Sequence, residues 1–289
     1  MNSPFFAHFY WDPHPIMFTL PYLNWPIRWY GVLFALGFGI AYFMIVKLFR
    51  REGIDKASSS ALADRLCWYV VIGTVLGARL GHIVFYDLEY HLIHPIEILK
   101  TWNGGLASHG GVVGILIALS LFYRKLREQY PQFTFMRFLD IFAIPVPFVA
   151  TLIRCGNFIN QEIIGTTTTV PWGIIFGHPY DGIHNIPHHP VQLYEAVAYF
   201  FTFMVLLSLY RFRKKLGEGA IAGWMFVLIF GSRFIIEFYK SPLGGIADDL
   251  PIQTGQVLSI PCLLAGVYLI FQSYRKKEVS NPASNQIKI

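Results

Sequence analysis

Long apolar runs separated by short polar clusters make up most of the chain. A helix needs about 20 apolar residues to cross the hydrocarbon core of a bilayer. Seven runs meet this length, at roughly 28–49, 65–86, 109–127, 135–158, 190–212, 219–239 and 255–274. The pattern predicts an all-α polytopic integral membrane protein with about seven transmembrane helices.

The composition agrees with partial solvation by lipid. Of 289 residues, 54% are hydrophobic and only 14% are charged, whereas soluble domains carry roughly 25% charged residues. The net charge is +6, and a basic balance often accompanies nucleic-acid binding. No RNA-binding signature is present, and the basic residues gather at the ends of apolar runs, so we expect no nucleic-acid partner. Three cysteines inside apolar stretches are expected to be buried small side chains, namely Cys67, Cys155 and Cys262.

The basic clusters orient the predicted helices. They follow the odd-numbered runs, at 47–56, 123–130, 211–218 and 274–277. The opposite loops 161–189 and 241–253 contain no Lys or Arg, and 87–108 contains only Lys100. Because cytoplasmic loops are rich in Lys and Arg, this asymmetry predicts an outside N-terminus and a cytoplasmic C-terminus.

We expect a single membrane domain over 1–289 with four extramembrane segments. The aromatic N-terminus lacks the basic region of a cleaved signal peptide, which predicts an interfacial segment. Turn residues and short β-type runs predict a small periplasmic lobe with strands. The segments are the interfacial N-terminus 1–27, an outer interfacial arm 87–108, the lobe 161–189 and a cytoplasmic tail 276–289.

Ionisable residues inside or beside the predicted spans share one depth. Such residues are costly in a membrane and indicate a functional site. All fall in the outer half under the predicted topology: Arg79, His109, Arg154, Glu162, Glu195, Arg233 and Glu237. Arginine matches phosphate oxygens bidentately, so Arg154 and Arg233 are candidates to bind a phospholipid headgroup, with Asn157 and Asn160 as neutral donors. The alternative is that these charges only join helices.

Two histidine features have competing interpretations. His109 lies among glycines and is a candidate general base, or else a surface histidine with a satisfied hydrogen bond. Glu162, Glu195 and Glu237 compete for the role of base. Four histidines close together in one loop suggest a metal site: His178, His184, His188 and His189. Their loop is rich in turn residues and lacks Cys partners, so we expect no metal.

The segment "RCGNFINQEIIG" resembles the signature GRxGNFxNxExxG of the bacterial prolipoprotein diacylglyceryl transferases. Further motifs follow in the order of that family, and agreement spans roughly residues 25–275. They are "RWYG" at 28–31, "GARLGHIVFY" at 77–86, "GGLASHGGVVG" at 104–114, "HPVQLYE" at 189–195, "RFIIEF" at 233–238 and "GQVLSIP" at 255–261.

The resemblance implies transfer of a diacylglyceryl group from phosphatidylglycerol to the lipobox cysteine of a prelipoprotein in the bacterial inner membrane. A thioether forms, glycerol phosphate leaves, and no cofactor or metal is implied. It implies catalytic roles for His109, Arg154, Arg233, Glu162 and Glu237, with the arginines as phosphate clamps held in place by Glu162 and Glu237. Substrate-binding roles fall to Tyr30, Arg79, Asn157, Asn160, Gly165, His189 and Glu195.

The chain departs from the family pattern at several positions. The family has Gly where this chain has Ile153 and Gln161, and Leu or Ile where it has Cys155. The remaining departures are Asn103 for Asp, Lys240 for Arg and Ile229 for a Tyr of some members. Two other classes stay open: a transporter for an anionic solute, which places charges near the midplane, and an assembly scaffold whose charges only join helices.

Overall fold

The structure is a computed structural model that describes residues 8–101, 104–179, 182, 184–241 and 253–280, without the side chains of 108, 109 and 278–280. The chain forms two compact units. The first combines the described parts of Met1–Ala41 and Leu139–Ile289, and the second is Tyr42–Phe138.

Helices dominate both units, as the apolar runs predict. In chain order they are α1 (Trp29–Arg51), α2 (Lys56–Tyr86), α3 (Leu88–Ile93), α4 (Ser108–Gln129), α5 (Phe135–Ala143), α6 (Val146–Ile159), α7 (Val191–Arg211), α8 (Ala220–Ile236) and α9 (Thr254–Ser280). Among the described residues, six helical stretches are long and apolar enough to span a membrane. They are Trp29–Arg51, Lys56–Tyr86, Phe135–Ile159, Val191–Arg211, Ala220–Tyr239 and Thr254–Lys277. The chain is therefore an all-α polytopic membrane protein.

The third predicted span corresponds to α4, which is not one of these six stretches. It is 22 residues long, and its C-terminal turns carry basic residues such as Arg127. α4 packs closely along α2, because added Cβ atoms at Gly73 or Gly77 would collide with the backbone of Gly110 and Gly114. Small residues that let two backbones approach are typical of helix pairs in membranes. This third span stays a prediction.

The fourth predicted span is a broken helix. α5 ends at Ala143 and α6 begins at Val146, with Pro145 and Pro147 at the junction. Proline lacks a backbone N–H and tolerates only the first turn of a helix, so the two prolines end one helix and start the next.

The N-terminal segment contains strands that the sequence did not predict. β1 (Phe9–Trp11) pairs in parallel with β4 (Ile174–Phe176), which pairs with β5 (Pro187–His188). β2 (Ile16–Leu20) and β3 (Trp25–Arg28) form a separate antiparallel hairpin. The strands expected in 161–189 are thus present, and their sheet is completed by the N-terminal segment.

Packing in the first unit brings three helix ends together. α6 packs against α7, and α7 packs against α8. Because the chain reverses between these helices, the C-terminal ends of α6 and α8 adjoin the N-terminal end of α7. The opposite ends of α7 and α8 are joined by a basic connection that includes the 3₁₀ turn Arg213–Lys215.

Candidate active site

Arg154 and Glu195 form the central ion pair of the first unit. Arg154 lies in the third turn of α6, and Glu195 lies in the second turn of α7. Arg154 Nε is 2.8 Å from Glu195 Oε2, and the Glu195 side chain is fully buried. A buried carboxylate is stable only when paired, so the two helix ends are joined by charge.

Asn157 extends this pair to the signature glutamate. Arg154 Nη1 donates to Asn157 Oδ1 at 3.1 Å, and Asn157 Nδ2 donates to Glu162 Oε1 at 2.8 Å. Asn160 Nδ2 also donates to Glu162 Oε1, at 3.3 Å. Arg154 and Asn157 are three apart in sequence and share a helix face, which explains why both residues recur in one short motif. Glu162 therefore fixes Arg154 indirectly, through an amide.

Lys240 is a member of the site that the sequence did not identify. Lys240 Nζ lies 2.9 Å from Glu195 Oε1 and 3.1 Å from Glu237 Oε2, and the lysine is buried. It bridges two carboxylates from two helices. The sequence indicated this residue only by its place two positions after "RFIIEF", where the family pattern has arginine. We use the name ion network for Arg154, Asn157, Glu162, Glu195, Glu237 and Lys240.

Glu237 pairs with Lys240, so the expectation that it holds Arg233 was wrong. α8 ends at Ile236, and Glu237 begins the 3₁₀ turn Glu237–Tyr239. Glu237 N still donates to Arg233 O, as in a continuous α-helix, so the backbone spacing alone does not exclude that pair. Glu237 instead directs its carboxylate to Lys240, three residues later. A Cβ atom at Gly255 would overlap its carboxylate, which explains a glycine at the start of α9.

Arg233 makes no hydrogen bond or ion pair with any residue that the structure describes. It lies in the last turn of α8 and is half-buried. Tyr199 on α7 donates to Glu195 Oε1 at 3.3 Å. Arg233 precedes Glu237 by one helical turn, and Arg154 belongs to the same ion network as Glu237, so both guanidinium groups lie at the same end of the helices. Tyr30 packs on α6 two residues after Arg154, since a Cβ atom at Gly156 would meet its ring at 2.7 Å.

Gly165 and His189 are neighbours of the ion network but not members of it. Gly165 N donates to His189 O at 3.0 Å, and a Cβ atom at Gly165 would meet the carbonyl oxygens of His189 and Tyr239 at 2.5 and 2.6 Å. The close approach of these backbones requires glycine. His189 Nδ1 lies 3.1 Å from Tyr194 Oη, and burial lowers the pKa of its imidazole, which favours the neutral form.

Arg79, in the second unit, does not fit its predicted role as a substrate ligand. A guanidinium has five N–H donors, and Arg79 makes five contacts, to Ile98 O, Gly104 O, Gly105 O, Glu97 O and His91 Nε2. It is buried, and these contacts leave no donor for a phosphate. Arg79 instead holds the arm 87–108 against α2.

The remaining predictions concern histidines. His109 lies in the first turn of α4, and its side chain is outside the described part of the second unit. Within the described ranges, no group of three or more His, Cys, Asp or Glu residues is arranged to hold a metal ion. The Nδ1 atoms of three lobe histidines have separate partners: that of His178 lies at Asp12, that of His184 at Gly177 O and that of His188 at Gly165 O.

The site combines a fixed cation, Arg154, with Arg233, which has no ionic partner among the residues that the structure describes. Arg154 is oriented by Glu195 and Asn157, which together engage two of its three nitrogens. Arg233 has all its donors available within the described structure. Two guanidinium groups at one end of the helices are of the kind that bind phosphate oxygens. The fold and site therefore define a polytopic helical membrane protein with a buried ion network beside Arg233 at one end.

Comparisons with known proteins agree with this class. The family model described as prolipoprotein diacylglyceryl transferase matches residues 15–272, and the chain belongs to that family. Three relatives carry the name phosphatidylglycerol–prolipoprotein diacylglyceryl transferase. The one from Tolumonas auensis is 43% identical over 268 residues, covering 93% of this chain and 98% of the relative. The relative from Chloroherpeton thalassium is 41% identical over 274 residues, covering 94% of this chain and 97% of the relative. The relative from Protochlamydia amoebophila is 35% identical over 361 residues, covering 94% of this chain and 96% of the relative.

Proposed function

We infer that this protein transfers the diacylglyceryl group of phosphatidylglycerol to a cysteine thiol of a prolipoprotein. The relatives are named for this reaction and match the chain over nearly its full length. The structural observation that carries it is the presence of two arginines at one end of the helices, one fixed by Glu195 and the other without an ionic partner among the described residues.

The reaction is an alkyl transfer. The thiolate sulfur of the prolipoprotein attacks the glyceryl carbon, a C–S bond forms, and the C–O bond to phosphate breaks with its electrons going to the leaving oxygen. Glycerol phosphate departs with an added negative charge. Cationic donors that are already oriented stabilise such developing charge best, because they need not reorganise during the reaction. We assign this role to Arg154 and Arg233.

The thiol must lose its proton before or during the attack. A base with a pKa near neutrality does this most efficiently, and His109 is our candidate on the sequence pattern. Glu162 and Glu237 are engaged with Asn157 and Lys240 respectively, which favours orienting roles for both. Tyr30, Asn157, Asn160, Gly165, His189 and Glu195 are proposed to shape or support the phosphatidylglycerol site.

We propose that the ion network faces the outer leaflet of the bacterial cytoplasmic membrane. The basic turn Arg213–Lys215 lies at the opposite ends of α7 and α8, and such turns favour the cytoplasm. With α4 as a seventh span, the N-terminus is outside and the C-terminus is cytoplasmic. The lobe 161–189 is then periplasmic, as is the arm 87–108.

A transfer assay tests the function. The purified protein in phosphatidylglycerol-containing detergent micelles is incubated with a peptide that carries a lipobox cysteine, and the peptide mass is measured. We expect a mass increase of one diacylglyceryl group, and none on a peptide with serine in place of the cysteine. An unmodified cysteine peptide under a range of lipid and detergent conditions would exclude the proposal.

A pair of variants separates catalysis from the scaffold alternative. Arg154→Ala and His109→Ala are expected to insert in the membrane and to lose transfer. A scaffold role predicts that Arg154→Ala disrupts folding or assembly and leaves no catalytic step to lose. Full transfer by Arg154→Ala would refute its assignment to the phosphate.

A further inference from the structure

The C-terminal end of α6 is a Schellman motif centred on Gln161. Gln161 N donates to Phe158 O at 3.2 Å, and Glu162 N donates to Asn157 O at 3.1 Å. These are the two reversed hydrogen bonds that define this helix ending. The first residue after the helix cap takes a left-handed conformation in this motif. That residue is Gln161, with a φ of 55°. The chain reverses there, and this reversal directs Glu162 back towards Asn157 and Asn160.

A left-handed residue at this position is usually glycine, because a Cβ atom is strained there. This accounts for the glycine that the family pattern has before the signature glutamate. The present chain has Gln161 instead, with its side chain buried. Glutamine is not a residue that favours positive φ. Contacts made by its side chain must therefore offset the strain.

Those contacts lead to the N-terminal segment and the lobe. Gln161 Nε2 donates to Asp12 Oδ1 at 3.0 Å, and Gln161 Oε1 accepts from His178 N at 2.7 Å. Asp12 Oδ1 also lies 2.7 Å from His178 Nδ1. The hydrogen bonds from His178 and Gln161 lower the pKa of the Asp12 carboxyl, so it stays ionised at neutral pH. Both hydrogen-bonding ends of the Gln161 amide are thus engaged.

The neighbouring strand residue contacts the same helix end. Trp11 Nε1 donates to Phe158 O at 3.1 Å, and its ring stacks on Phe158 with centroids 4.7 Å apart. A helix leaves its last carbonyl groups without partners in the helix. Trp11 gives one of them, the Phe158 carbonyl that Gln161 N also contacts, a further donor, and Asp12 fixes the residue that turns the chain. The segment that contains β1 therefore holds the end of α6 at two adjacent points.

We propose that Gln161 is a positioning residue for the transfer reaction. Its amide joins the end of α6 to Asp12 and so fixes the direction of the Glu162 carboxylate. Glu162 fixes Asn157, and Asn157 fixes the Arg154 guanidinium. Gln161 touches neither substrate, and it acts through this chain of contacts. The inference rests on the proposed function, since it concerns the orientation of the cation assigned to the leaving phosphate.

Gln161→Gly is the most informative substitution. It removes the contacts to Asp12 and His178 while glycine accepts the positive φ without strain. We expect the unfolding temperature to stay equal or rise, and kcat for peptide lipidation to fall about tenfold, the loss from one misplaced hydrogen-bonded group. The KM for phosphatidylglycerol is expected to change less than about twofold, because the orientation of Arg154 matters most as charge develops.

Asp12 provides the conservative rescue. Asp12→Ala is expected to reproduce the kcat loss of Gln161→Gly, whereas Asp12→Asn retains an acceptor oxygen for Gln161 Nε2 and is expected to retain most activity. In the double variant Gln161→Gly/Asp12→Ala, the two losses are expected not to add, because both remove one contact. Asn185→Gly is the matched control: Asn185 also has positive φ, 60°, and its side chain is exposed. It is expected to keep wild-type kcat.

Each outcome decides the inference. Wild-type kcat in Gln161→Gly overturns it, as do additive losses in the double variant. A kcat loss that accompanies an equal loss of folded protein in Gln161→Gly would also overturn it, since that pattern belongs to a structural role. If the wild-type protein transfers lipid and Gln161→Gly equals it, only the inference falls. If the wild-type protein itself fails to lipidate the peptide, the proposed function falls first and the inference falls with it.

Discussion

Replacing Glu195 by glutamine removes a negative charge that Arg154 and Lys240 share. Glu195 is fully buried, with Arg154 Nε at 2.8 Å and Lys240 Nζ at 2.9 Å. Glutamine keeps the shape and one acceptor oxygen, but its amide N–H groups face a cation. The ion network and Arg233 together contain three cations and three carboxylates, so this substitution leaves one cation in excess.

The expected cost follows from that excess. Removing one partner of a buried ion pair typically costs about 3–5 kcal/mol, because the other charge remains buried and unpaired. We expect about 3 kcal/mol for Glu195→Gln, the low end, since one acceptor is retained. The catalytic loss is expected to be of similar size in free energy: an oriented donor at a developing oxyanion is worth about 100-fold or more in kcat, and Arg154 loses its main orienting partner.

Two measurements on the same samples test this prediction. Thermal unfolding in lipid–detergent micelles reports stability, and peptide lipidation per folded molecule reports kcat. Glu52→Gln is the matched control, because it disrupts another half-buried ion pair, with Arg137 Nη2 at 2.9 Å from Glu52 Oε2. It is expected to lower stability and to leave kcat per folded molecule unchanged.

A compensating substitution makes the test sharper. Lys240→Met in the Glu195→Gln background restores the balance of charge, and it is expected to recover part of the lost stability while kcat stays low. The reasoning is refuted if Glu195→Gln keeps wild-type stability and kcat. It is also refuted if Glu52→Gln lowers kcat as much as Glu195→Gln does.

Three further predictions concern single residues. Arg233→Ala is expected to lower kcat/KM about 100-fold without lowering the unfolding temperature, since Arg233 has no ionic partner among the described residues; an equal loss of stability would contradict this. Gly165→Ala is expected to cost about 1–3 kcal/mol of stability, measured by thermal unfolding, because its methyl group meets two backbone carbonyls; unchanged stability would show that the backbones separate freely. Arg79→Ala is expected to raise amide hydrogen exchange in 95–101 and to leave the KM for phosphatidylglycerol unchanged. A large rise in this KM would show that Arg79 binds the substrate after all.

Much of the fold follows from local patterns in the sequence. Apolar runs and flanking basic clusters predict the helices, and six of the seven expected spans coincide with helices that are long and apolar enough to cross a membrane. The break in the fourth is readable from Pro145 and Pro147. The N-terminal strands were not predictable, because β1 has three residues and pairs with β4, far away in sequence. Such pairing depends on tertiary contacts and not on periodicity.

The candidate site divides in the same way. Arg154, Asn157 and Glu162 were identified from one short motif, and the structure joins them as neighbours. The partners of Glu195 were not predictable, because they depend on which helix ends adjoin. The spacing of Arg233 and Glu237 allows a pair on one helix face, but the Glu237 carboxylate pairs with Lys240, three residues later. Sequence spacing alone does not reveal which of two possible cations a carboxylate contacts.

The central claim is that oriented arginines stabilise the phosphate that leaves phosphatidylglycerol as a prolipoprotein thiol takes the diacylglyceryl group. The most direct measurement is the stoichiometry of the purified protein's reaction, with lipidated peptide quantified by mass spectrometry and glycerol phosphate quantified in the same mixture. We predict one glycerol phosphate released for each diacylglyceryl thioether formed, with both products lost together in Arg154→Ala. Release of glycerol phosphate without peptide modification, or modification that persists in Arg154→Ala, would contradict the account.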